Sequence, residues 1–131
     1  ASVEAHRAVA AETALAIWGF AEVGYQERQS SALLQKVLAD AGFTVTAGVA
    51  GIPTAFTAEY KQGTGGSTLG LLGEFDALPG FSQAANPART PLKGRISGHA
   101  CGHHLFGTGS ASARARSAKS PKSASSGRGA V

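Results

Sequence analysis

The run Gly98-His99-Ala100-Cys101-Gly102-His103-His104 holds the chain's only cysteine and three of its four histidines. Thiolate and imidazole together suit zinc or a similar transition metal. Cys101 and His103 are two residues apart, so an extended backbone here would send both side chains to one side. Gly102 between them would let the main chain come close to a bound ion. A single cysteine cannot close an internal disulfide, which removes a structural cystine from consideration. The plainer alternative is a buried cysteine beside loop histidines. The density of donors favours a metal site.

An acidic segment precedes this run. Leu69-Gly70-Leu71-Leu72-Gly73 reads as a short buried strand, and Glu74-Phe75-Asp76-Ala77-Leu78-Pro79-Gly80 follows it directly. Carboxylates at the end of a core strand lie where open α/β sheets keep their sites. Glu74 and Asp76 share a face if the strand continues that far, and Pro79-Gly80 then turns the chain outward. Glu-x-Asp after a strand is by itself most often a solvated strand end. Its interest comes from standing before Cys101 and His103.

Elements must exist to bring these segments together. Residues 3–20 are rich in Ala and Glu, and Val9, Thr13, Ile17 and Phe20 recur at near-helical spacing beside Trp18. A second helix starts near Ser30, a plausible N-cap, and carries the stripe Leu33, Leu34, Val37, Leu38 and Ala41. Gly42 stands where a left-handed residue is wanted, and Phe43 can fold back on the last turn. Residues 43–49 and 54–60 read as strands on their β-branched and aromatic content, with Gly51-Ile52-Pro53 between them. Residues 61–67 form a flexible turn and not a phosphate loop, because no Gly-Lys-Ser/Thr ends it and no helix follows. Residues 82–97 read as a surface excursion, and a helix is expected from His104 onward. The aromatic and leucine stripes are core positions.

The length of 131 residues allows one domain, and 43% apolar residues describe an ordinary soluble protein. No apolar run is long enough to span a bilayer, and a lone reduced cysteine agrees with a cytoplasmic setting. The net charge of +4 is unevenly placed. Residues 1–110 carry seven Lys/Arg against eight Asp/Glu, whereas residues 111–131 carry Arg114, Arg116, Lys119, Lys122 and Arg128 and no acid. The basic segment has no aromatic residue for base stacking, so a nucleic-acid partner is not indicated. Ser and Ala supply 12 of its 21 residues, which predicts a disordered tail from Ala111 onward. Its abrupt start suggests an unstructured extension or, as the favoured source, out-of-frame translation of a GC-rich gene.

Several segments occur together in a telling order: Ile17-Trp18, Ala21-Glu22-Val23-Gly24-Tyr25-Gln26-Glu27, Gly51-Ile52-Pro53-Thr54-Ala55-Phe56, residues 73–80 with Ser82-Gln83, and residues 98–103. In this combination the chain resembles the amidohydrolase branch of the aminoacylase/carboxypeptidase G metallopeptidase family, over about residues 5–110. The resemblance implies an α/β fold, the N-terminal part of a metallopeptidase-type catalytic domain with helices packed on a mixed sheet. It also implies that Cys101 and His103 are metal ligands of a binuclear Zn, Mn or Co centre. Asp76 would stand behind that centre and orient a ligand. Glu74 falls where relatives with another ligand set have a metal-binding His and is not carried over as a ligand. His99 and His104 match no family ligand, and position 104 is commonly Asn or Asp in this branch.

The activity implied is metal-assisted hydrolysis of the amide in an N-acyl amino acid such as p-aminobenzoyl-glutamate, by an enzyme that is a homo- or hetero-oligomer at full length. The family takes its general base from a downstream Glu-Glu pair and further ligands from later histidines. Here His104 is the last histidine and Asp76 the last acid. The expectation is therefore an incomplete, inactive portion of such an enzyme. The alternative is a noncatalytic remnant that binds a metal or a partner.

Overall fold

A computed structural model describes residues 3–64 and 66–119. Two helices open the chain, α1 at Val3–Phe20 and α2 at Arg28–Asp40. A ribbon of β1 at Thr44–Ala47 and β2 at Phe56–Glu59 follows, with a short 3-10 turn at Val49–Gly51 between the strands. The two-residue strands β3, Leu78–Pro79, and β4, Ser97–Gly98, come next, and α3 at His103–Lys119 closes the described chain. The expected α/β composition is borne out.

The core lies where α2 and α3 meet α1 and the ribbon. Ile17 is fully buried there, with Leu34, Leu38, Phe43 and Ala111 around it. The α2 stripe behaves as its periodicity requires, with Leu34 and Leu38 innermost and Leu33 and Ala41 packed at the edge. Glycine at position 42 takes φ +92°, and the N–H groups of Gly42 and Phe43 donate to Ala39 and Leu38 carbonyls, which ends α2 in a Schellman motif. Phe43 then folds back into the core and its ring meets that of Tyr60 at 5.2 Å between centroids. β1 and β2 pair antiparallel, with Val45 opposite Ala58 and Ala47 opposite Phe56.

The start of α2 departs from expectation. Ser30 is not the N-cap but a buried residue inside the helix. Glu22 reaches it from outside: its carboxylate accepts the backbone N–H of Gln29 at 2.9 Å, the backbone N–H of Ser30 at 2.8 Å and the Ser30 hydroxyl at 2.8 Å. Burial alone would raise the Glu22 pKa, but these hydrogen bonds outweigh it and hold the carboxyl below its ordinary value.

Three other expectations are corrected. Residues 69–73 are no buried strand: they join no ladder, and Leu69, Leu71 and Leu72 are exposed, Leu72 by 88%. The described residues place no strand beside them; instead the Ser110 hydroxyl of α3 donates to the Leu72 carbonyl at 2.8 Å. Val9 is half exposed although Thr13 and Ile17 on its stripe are buried. The tail does not become disordered at Ala111, since α3 continues to Lys119 and Ala111 is part of the core. Alanine and arginine are strong helix formers, and that preference wins over the lack of large apolar residues. The rest of the expected tail, residues 120–131, lies outside the described residues.

Two close approaches set the position of α3 and β4. A side chain on Gly107 would meet the Glu74 carbonyl oxygen at 2.9 Å and Leu34 Cδ1 at 3.2 Å, so α3 lies directly on residues 74–75. Gly98 lies so near the Phe81 carbonyl that no side chain fits. β4 pairs antiparallel with β3, Leu78 opposite Gly98, while Ala77 forms a parallel bridge to Val23. The antiparallel β3–β4 pair and this single parallel bridge carry Asp76 to the base of α3.

Candidate metal centre

Asp76 precedes the bridged residue Ala77, whose N–H donates to the Glu22 carbonyl at 2.7 Å. Its backbone is thereby tied to the segment that follows α1. His103 is the first residue of α3, one turn before Gly107. The close seating of Gly107 on residues 74–75 brings His103 down onto Asp76. The His103 Nδ1–Asp76 Oδ1 distance is 2.7 Å, and both side chains are partly shielded from water. This pairing orients the ring and leaves its other nitrogen, Nε2, for a ligand.

Cys101 is exposed with a free thiol, which disposes of the buried-cysteine reading. The backbone between Cys101 and His103 is not extended. Gly102 takes φ +79° and turns the chain into α3, with the Leu105 N–H donating to its carbonyl at 2.8 Å. The need at position 102 is thus a left-handed turn, a conformation glycine adopts without strain. Nothing lies within 4 Å of where its side chain would be.

His99 and His104 flank this turn. The His99 Nε2 lies 3.0 Å from the Ile17 carbonyl, and the two imidazole rings are 4.9 Å apart. Burial lowers the pKa of each from its ordinary value of 6.5, and a neighbouring imidazole lowers each further, His103 for His99 and His99 for His104. Both rings are therefore neutral at pH 7 and add no positive charge beside the donors. Glu74 is exposed and takes no part in the Asp76–His103 pair.

Sequence reasoning did not find how this loop is held. Arg95, Ser97 and His99 alternate along one extended stretch, and all three side chains bond carbonyls at the C-terminal end of α1: Gly19, Ala21 and Ile17 respectively. The Arg95 guanidinium also lies over the Trp18 ring, 5.9 Å from its centroid. Of these carbonyls, that of Ile17 also accepts the Ala21 N–H at 3.1 Å, whereas Gly19, in the last turn of α1, is one of those a helix end leaves without an intrahelical donor. Alternation at positions 95, 97 and 99 of polar side chains was the available signal.

The donor set fits one half of a metal site. A thiolate and an imidazole backed by a carboxylate are suitable ligand chemistry. Among the described residues, no group of three or more His, Cys, Asp or Glu is placed to hold an ion. No helix among them is long and apolar enough to cross a membrane.

Comparison with known proteins gives a consistent set. The chain is 43% identical over 108 residues to a p-aminobenzoyl-glutamate hydrolase subunit of Escherichia coli, covering 82% of this chain and 22% of that protein. It is 34% identical over 82 residues to thermostable carboxypeptidase 2 of Saccharolobus solfataricus, covering 63% of this chain and 20% of that protein. Thermostable carboxypeptidase 1 of the same organism is 33% identical over 84 residues, with 64% and 21% covered. The chain thus spans about a fifth of the length of these curated relatives. No protein-family profile matches it, and no solved structure does. The resemblance carried by the sequence motifs is borne out, and the chain is related to this hydrolase and these carboxypeptidases.

Proposed function

We propose that this chain contributes the first two metal ligands and their positioning carboxylate to a metal-dependent amidohydrolase acting on an N-acyl amino acid of the p-aminobenzoyl-glutamate type. The relationship to the Escherichia coli hydrolase supports the reaction class. The single observation that carries the site is the Asp76–His103 pair at 2.7 Å, two residues from the exposed Cys101 thiol.

In this reading Cys101 Sγ and His103 Nε2 hold a divalent ion, zinc, manganese or cobalt. Such an ion supplies polarisation of the amide carbonyl and a bound water of lowered pKa. Asp76 accepts the His103 Nδ1 proton, which fixes the tautomer and makes Nε2 the better donor. The neutral His99 and His104 rings keep further positive charge away from the ion. His99, held on the Ile17 carbonyl, also anchors the strand that leads into Cys101.

A catalytic zinc normally takes three protein ligands and keeps one open position. Two donors and no general base are offered here, which supports a chain that binds metal weakly and turns over nothing alone. The remaining ligands, the base and any oligomeric partner are then supplied by sequence beyond the fifth of the relatives that is matched.

A chimera tests this directly. Residues 1–110 replace the matching stretch of the Escherichia coli hydrolase, and release of p-aminobenzoate is followed with the divalent ion present. We expect hydrolysis in the chimera, its loss on Cys101→Ser or His103→Ala, and none from the 131-residue chain alone. A chimera whose activity survives Cys101→Ser with unchanged metal content sinks the assignment.

A further inference from the structure

A cavity of about 470 Å³ opens beside the loop that leads to Cys101, and neither Asp76 nor His103 lines it. Its walls include Trp18, Phe81, Arg89, Arg95 and His99, and no acidic residue is among them. Two aromatic residues and two arginines therefore share this lining with no carboxylate among them. Arg95 spends part of its fork on the Gly19 carbonyl and lies over Trp18, but a guanidinium carries five N–H donors and most remain available.

Arg89 is the second half of the argument. It stands in an exposed Pro- and Ala-rich loop, where a mobile chain is the ordinary expectation. This loop is instead tied from both sides of Arg89. The Gln83 side-chain amide donates to the Ala88 carbonyl at 2.6 Å and its oxygen accepts the Thr90 N–H at 2.9 Å. Asn86 Oδ1 accepts the Ala88 N–H at 3.0 Å, and the Ala84 N–H donates to the Thr90 carbonyl at 2.9 Å. Four bonds thus hold the residues flanking Arg89 while no hydrogen bond or ion pair engages its own guanidinium among the described contacts. Bracing the loop removes the backbone share of the ordering cost that an anion bound at Arg89 would otherwise meet, while the side chain stays free to engage it.

We propose that this cavity is a binding site for a small aromatic carboxylate, with the ring between Trp18 and Phe81 and the carboxylate on Arg89 and Arg95. Arginine pairs with a carboxylate through two parallel hydrogen bonds, and the aromatic walls remove the ring from water. The site needs neither a metal nor turnover and does not depend on the hydrolase reading.

Trp18 is the chain's only tryptophan, so its fluorescence reports the site directly. The full 131-residue chain is titrated with benzoate, with benzamide and with acetate at pH 7. We expect a saturable change in Trp18 emission with benzoate, and affinities weaker by about tenfold for the uncharged benzamide and the ringless acetate. Arg89→Gln weakens benzoate by about tenfold and Arg89→Lys by less, because lysine keeps the charge without the fork. Gln83→Ala, which unties the loop and keeps the cation, also weakens it. The absence of a saturable benzoate signal, equal binding of benzamide, or an Arg89→Gln variant that binds like the parent chain each overturns the proposal. None of these results bears on the chimera experiment, so the two readings fail separately.

Discussion

The His103 imidazole and the Asp76 carboxylate meet at 2.7 Å although they stand 27 positions apart in the chain. Neither residue lies in a regular sheet, and the contact is made by pressing a helix onto a strand end. The seating of Gly107 on the Glu74 carbonyl determines how far α3 descends, and the bridge of Ala77 to Val23 determines where Asp76 waits.

Replacing Asp76 with Asn keeps the shape but removes the charge that favours the His103 Nδ1 proton. Metal affinity of the chain falls by about 10–100-fold in consequence. Competition of Zn²⁺ between the protein and a chromophoric chelator measures this, with Cys101→Ser as the variant that removes a donor outright. Equal affinities for Asp76→Asn and the parent chain count against the positioning role.

Gly107 and Gly109 share α3 and respond in opposite directions to alanine. At position 107 the new methyl meets backbone at 2.9 Å, so Gly107→Ala destabilises by about 2 kcal/mol. At position 109 nothing lies within 4 Å, and Gly109→Ala stabilises by up to about 1 kcal/mol through helix propensity. Urea unfolding of both variants reads the difference, and the same sign at both positions would contradict the close packing of α3 on residues 74–75.

Glu22 links pH to the stability of α2. Its carboxyl is held below the ordinary value of 4.5 by the hydrogen bonds of Gln29 and Ser30, against burial that acts the other way. A carboxyl with a depressed folded pKa contributes fully above its unfolded pKa and loses that contribution as pH falls through the folded value. Thermal midpoints should therefore drop below pH 4.5 more steeply in the parent chain than in Glu22→Gln. At neutral pH, Glu22→Gln costs about 1 kcal/mol, the scale of a lost helix cap.

The α1 clasp is tested by Ser97→Ala. The hydroxyl is buried and donates to the Ala21 carbonyl, which the substitution leaves without that partner. An unsatisfied buried group costs about 1–3 kcal/mol. Chemical denaturation gives the value, and hydrogen exchange localises the loss to the last turn of α1.

Local patterns were readable where the physics is local. The stripe from Leu33 to Ala41 and the Gly42-Phe43 stop depend on neighbours within one or two turns, and both hold. Ser30 satisfied the local rule for an N-cap, yet Glu22 does that work from eight residues upstream, a spacing no helix rule contains. Residues 69–73 have the composition of a core strand, but a strand's burial is decided by adjacent strands, and the described residues place none beside them. Ala111 illustrates the opposite error: assigned to the tail on the Ser/Ala composition that follows it, it fits the core because it is small. The candidate ligands were legible as residue types. Asp76 as the partner of His103 followed only from resemblance, and the bracing of Arg89 by Gln83 had no sequence signature.

The clasp of Arg95, Ser97 and His99 on α1 also dictates an order of events during synthesis. Its bonds join residues 76 to 82 positions apart. While the ribosome is still adding residues of the excursion, the Gly19 and Ala21 carbonyls lack the side-chain donors of Arg95 and Ser97. The helix emerges first but its end becomes firm only after residue 99 has cleared the exit tunnel. Contacts so distant in sequence close slowly, so this end of α1 remains a target for chaperones and proteases until that segment has emerged.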